Sequence, residues 1–89
     1  MMHQDAMIIN QLGLHARASA KLTRLASSFK CEVTLSRNQR RINAKSIMGV
    51  MMLAAGKGAT IGVETDGEDE TDAMLAIMEL INNRFGEDE

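Results

Sequence analysis

The chain contains no proline, tryptophan or tyrosine, only two phenylalanines and a single cysteine. Each scarcity removes a class of function. Recognition of RNA by a sheet face relies on stacking aromatics, yet Phe29 and Phe85 both fall on predicted helical core faces. A small α+β module binding RNA or another ligand is therefore the weaker reading, and no nucleic-acid partner is expected. The lone Cys31 excludes an intrachain disulfide, and with His3 and His15 as the only histidines there is no zinc-ligand spacing. No metal and no cofactor are expected. No apolar run reaches the roughly 18 residues that span a bilayer, so membrane insertion is not expected. Met1-Met2-His3-Gln4-Asp5 lacks the basic and apolar regions of a signal peptide, and a cytoplasmic address follows by default. Without proline, no helix start is preset by a ring in its first turn.

What is present suits one folded unit. Hydrophobic residues make up 45% and charged residues 25% of 89 positions, well away from disordered composition. A chain this long has surface enough for one core and too little for two, so residues 1–89 are read as a single domain; a monomer is expected, though the sequence does not fix the oligomeric state. Net charge is only -2, but its signs are segregated. Acids gather in Asp66–Asp72 and Glu87–Glu89, while most cations lie between residues 17 and 41, so a local basic face can coexist with an acidic protein.

Residues 3–9 end in a β-prone run with Ala6 and Ile8 on one face. Asn10–Gly13 breaks it. From residue 16, Ala18, Leu22, Leu25, Ala26 and Phe29 recur at helical spacing, with Arg17, Lys21 and Arg24 on the other side. Cys31, Val33 and Leu35 alternate with polar residues as a half-buried strand does, and Arg37–Arg40 makes a turn into Arg41–Ala44. Cys31 falls on the inward parity as a small buried hydrophobe. Ser46 is placed to cap a short helix over Ile47–Leu53, which Gly56-Lys57-Gly58 ends. Ile61, Val63 and Thr65 alternate through a fourth strand. Asp69–Asp72 opens a final helix with Ala73, Met74, Ile77, Leu80, Ile81 and Phe85 on its buried face, stopped by Gly86. The order β-α-β-β-α-β-α predicts an α+β two-layer sandwich. Met7, Met74 and Met78 are read as core, and His3 as an ordinary exposed side chain.

Gly13-Leu14-His15-Ala16-Arg17 carries the chemistry. A helix N-terminus exposes N–H groups with no intrahelical partner and carries partial positive charge, so it binds anions readily. Imidazole both attacks phosphorus and leaves it readily, whereas a serine ester holds phosphate too tightly. His15 is thus the candidate nucleophile. Arg17 and the backbone of Ala16, Arg17 and Ala18 are candidates to stabilise the phosphoryl charge. A phosphatase would need a group to activate water, and residues 10–20 contain no acid to do so.

This segment, continued by Ala18-Ser19-Ala20-Lys21-Leu22, strongly resembles the active-site segment of the HPr family, the histidine phosphocarriers of the bacterial phosphoenolpyruvate-dependent phosphotransferase system. Asn43-Ala44-Lys45-Ser46-Ile47-Met48-Gly49 resembles the family's second signature. The resemblance implies an open-faced sandwich whose antiparallel sheet has strand order 1-4-2-3, with three helices on one face. It implies that His15 accepts phosphate through Nδ1 from phospho-enzyme I and passes it to IIA-type domains, without turnover of its own. It also implies that Ser46 is a regulatory phosphorylation site, which would require a serine kinase. The nitrogen-related regulatory branch of the system would use the same chemistry and remains an alternative. Many members carry a proline beside the arginine where this chain has Ala18; alanine restores an N–H and favours helix, so the anion site is expected to survive.

Ile47–Leu53 has more apolar side chains than one buried face can use. The expectation is a docking patch of Ala20, Ile47, Met48 and Met51 rimmed by Arg17, Lys21 and Arg24, with adaptable methionines suited to several partners.

Overall fold

The computed structural model describes residues 1–88. Its elements are β1 (Met2–Met7), α1 (Ala16–Ser27), β2 (Glu32–Arg37), β3 (Arg40–Asn43), α2 (Ile47–Met52), β4 (Thr60–Asp66) and α3 (Glu70–Asn82), followed by a 3-10 turn at Arg84–Gly86. The four strands form one antiparallel sheet in the order β1-β4-β2-β3. The expected α+β open sandwich with three helices is the observed fold.

Register explains the sidedness. Val63 pairs with Leu35 on one side and Gln4 on the other, so the inward residues of β4 and β2 share a face. Ile61, Val63, Val33 and Leu35 are buried there together with Leu22 and Ala26 of α1, Val50 of α2, and Ala73, Ile77 and Ile81 of α3. On the outer face Glu64 takes the Arg41 guanidinium at 2.9 Å. The β2–β3 hairpin turns through Asn38 (φ 51) and Gln39 (φ 69), the paired left-handed conformation that matches strand twist.

Three boundaries and one core assignment differ from the sequence expectation. The first strand ends at Met7 rather than residue 9, because Ile8 leaves the sheet ladder and bonds the 58–59 turn instead, its N–H donating to Ala59 O and its carbonyl accepting from Gly58 N. Met7 is 54% exposed and is not core: on this edge strand it falls on the parity opposite Ala6 and Ile8. Helix α2 stops at Met52, before the glycines, with Ala54 reversing the chain at φ 51. Arg40 and Arg37 donate to the freed carbonyls of Met52 (2.8 Å) and Leu53 (3.0 Å), doing from β3 and β2 what a C-terminal glycine does locally. Helix α3 stops at Asn82, and Arg84 (φ 55) and Phe85 (φ 56) turn left-handed before Gly86. Such non-glycine conformations cost on the order of 1–3 kcal/mol each. The Phe85 ring is fully buried, which returns about 2–3 kcal/mol, and Lys21 Nζ donates to Phe85 O at 2.7 Å. That turn brings Glu87 back to the start of α1.

Candidate functional site

His15 is the N-cap of α1, with extended backbone (φ -75, ψ 179) and no side-chain capping bond. The first intrahelical hydrogen bond runs from Ser19 N–H to His15 O at 2.9 Å. The N–H groups of Ala16, Arg17 and Ala18 precede it and have no carbonyl to bond within the helix. His15 thus immediately precedes those three donors in the chain.

The preceding loop is built to hold that position. Gly13 has φ +65, and a Cβ on it would lie 2.6 Å from Ala55 O and 2.7 Å from Gly56 Cα, so only glycine fits. Leu14 N–H donates to Ala55 O at 2.9 Å, and the Leu14 side chain is buried. Ser19 Oγ closes the loop from the helix side by donating to Leu14 O at 3.1 Å. Asn10, fully buried, donates through Nδ2 to Gly13 O at 2.8 Å.

Both imidazole nitrogens face acceptors. Nδ1 lies 3.1 Å from Gly13 O, and Nε2 lies 3.3 Å from Glu87 Oε2. The His15 side chain is 30% exposed and that of Glu87 only 16%. Glu87 is held from its other oxygen by Asn10 Nδ2 at 3.1 Å. An acid therefore does stand beside His15, contrary to the expectation drawn from residues 10–20. It is Glu87, 72 residues away, which the sequence presents only as part of an acidic run. The one signal that could have found it is Phe85, whose need for burial folds the tail back.

His15, Arg17, Lys21 and Glu87 line one open basin of about 900 Å³. The basin is open to solvent and too shallow to enclose a small substrate. Arg17 and Arg24 are exposed, whereas Lys21 is half-buried and bonded to Phe85 O. Ser46 caps α2, its Oγ accepting from Gly49 N–H at 3.2 Å, and is itself exposed. Ile47, Met48 and Met51 are exposed, Met48 by 68%, and Met52 joins them; Ala20 is half-buried. These methionines are not core. The exposed Leu12 was not foreseen and lines the His15 basin.

His3 is exposed, with its Nε2 3.1 Å from Asp5 Oδ1. Cys31 is buried. Burial raises its thiol pKa, and the neighbouring Asp69 carboxylate adds to the effect, so it stays protonated and unreactive. Among the described residues no helix is long and apolar enough to cross a membrane.

Residues 2–83 match the family model described as the PTS HPr component phosphorylation site. Over 89 residues, covering all of both chains, the sequence is 64% identical to the phosphocarrier protein HPr of Cupriavidus necator and 60% identical to that of Neisseria meningitidis. Its fold superposes on the crystal structure of HPr-C-His from Thermoanaerobacter tengcongensis with a TM-score of 0.97, at 36% identity and full coverage of both chains.

Proposed function

The chain belongs to the HPr family of phosphocarriers, and we propose that it carries its phosphoryl group on His15. The observation that carries this reading is the place of His15 as N-cap of α1, directly ahead of three N–H groups without intrahelical partners, with Arg17 lining the same open basin. The donors and the guanidinium meet charge developing on a transferring phosphoryl group, and an imidazole that bonds phosphorus releases it again. The donor is phospho-enzyme I, charged by phosphoenolpyruvate, and the acceptors are IIA-type domains. The protein acts as a monomer without turnover of its own. Ser46 is its regulatory phosphorylation site, and the exposed methionines of α2 with Ala20, Ile47, Arg17, Lys21 and Arg24 form the docking patch.

Incubation with enzyme I and phosphoenolpyruvate should add one phosphoryl group to the wild-type protein by mass spectrometry. The adduct should be lost in acid and kept in base, as phosphoramidates behave. His15→Ala should gain nothing, and an equally labelled His15→Ala overturns the assignment.

A further inference from the structure

Glu87 is used by nothing described so far, yet it is the most sheltered carboxylate near the site. Its Oε1 is tied to Asn10, whose Nδ2 also fixes Gly13 O. Its Oε2 is buried and, among the described residues, lacks a hydrogen-bond partner of standard geometry; the group it faces is His15 Nε2 at 3.3 Å. A buried carboxylate oxygen left without a donor is costly, so its placement against a ring nitrogen points to a role there.

Resting on the carrier reading above, we infer that Glu87 is a positioning residue that holds the Nε2–H tautomer of His15 and so frees Nδ1 as the attacking atom. A neutral imidazole has one N–H, and two acceptors compete for it. Gly13 O is nearer, at 3.1 Å, but it is a neutral carbonyl already bonded by Asn10. An ionised carboxylate is the stronger competitor for that proton, because hydrogen bonds to ionised acceptors are roughly twice as strong. The proton goes to Nε2. Nδ1 then presents a lone pair to the lone pairs of Gly13 O, which repel it, and the ring swings toward the N–H groups of Ala16, Arg17 and Ala18.

In the transfer step the Nδ1 lone pair forms the bond to phosphorus while the donor's bond to phosphorus breaks, its electron pair leaving with the donor. The Nε2 proton stays. The phosphorylated ring carries a formal positive charge facing the Glu87 carboxylate, and the same charge eases departure when the group moves on. A carboxylate that fixes a histidine tautomer from behind is a known device of nucleophilic sites; here it arrives from the last turn of the chain.

Two measurements test this on the full chain. Nitrogen-15 NMR of the His15 ring, at a pH where imidazole is neutral, should show the Nε2–H form dominant in wild type. In Glu87→Ala the Nδ1–H form, bonded to Gly13 O, should grow. Phosphorylation by enzyme I and phosphoenolpyruvate should be slower in Glu87→Ala by roughly ten- to a hundredfold, with Glu87→Gln between the two because its amide oxygen can still accept. Melting curves check that both variants are folded, and Glu87→Gln keeps the shape if Glu87→Ala does not. A wild type that takes no phosphoryl group on His15 overturns the carrier reading and this inference with it. A wild type that is phosphorylated while the folded variants match it in tautomer population or in rate overturns this inference alone.

Discussion

Gly13 and Arg17 flank His15 in the chain, and in the proposed carrier the first would serve it through shape and the second through charge. Gly13→Ala would drive a methyl group into Ala55 O and Gly56 Cα, so the loop must move and the variant should lose about 2 kcal/mol or more in a denaturant titration. Phosphorylation should slow with it, since His15 is two residues away. Arg17 is exposed. Arg17→Ala should therefore melt like wild type while accepting phosphate roughly tenfold or more slowly. Transfer at the wild-type rate would mean that the three backbone donors suffice.

At the scale of the elements, helix starts are the most informative features. Ser46 caps α2 through Gly49 N–H, and Ser46→Ala should cost about 1 kcal/mol. Asp69, at the start of α3, holds a neighbouring loop instead of its own helix. Its carboxylate accepts from Lys30 N–H and Cys31 N–H, each at 2.9 Å, and these bonds, Lys30 first, depress its pKa below the ordinary 3.8. A depressed folded-state pKa stabilises fully above the unfolded value and is lost as pH falls through the folded one. Asp69→Asn should thus be less stable than wild type above about pH 4, and the gap should close with further acidification. A gap independent of pH would show that the bonds do not depend on the charge.

The same scale shows what was legible in advance. Alternation at Val33/Leu35 and at Ile61/Val63/Thr65, and the spacing of Ala18, Leu22 and Ala26, are local patterns and located β2, β4 and α1 closely. Ser46 as a cap is also local. The exits of α2 and α3 are not, because Ala54 is reversed by a chain stop completed with Arg37 and Arg40, and Phe85 turns because the core accepts its ring. Glu87 was missed for the same reason: its partner is 72 residues away, and a run of acids at a chain end reads as solvated. His15 was legible because its signal, a histidine just ahead of an amphipathic helix, lies within a few residues.

For the whole molecule, the proposed docking patch rests on the segregation of charge and of exposed apolar side chains. Ile47, Met48 and Met51 stand in water, so Met48→Asp should keep its melting temperature while weakening binding to enzyme I. Large unfolding would place that side chain in the core. Lys21 is a poor reporter of the basic rim because its charge is engaged with Phe85 O. Arg24, exposed on the same helix, is the better one: Arg24→Glu should lower the association rate and flatten its salt dependence, with little change in dissociation.

The central claim, that one ring nitrogen of His15 carries the phosphoryl group, is tested most directly by phosphorus-31 NMR of protein labelled with nitrogen-15 histidine and phosphorylated by enzyme I. The account predicts one phosphoramidate resonance coupled to His15 Nδ1, with Nε2 still protonated. A phosphate-ester resonance without nitrogen coupling, or coupling to His3, would contradict it.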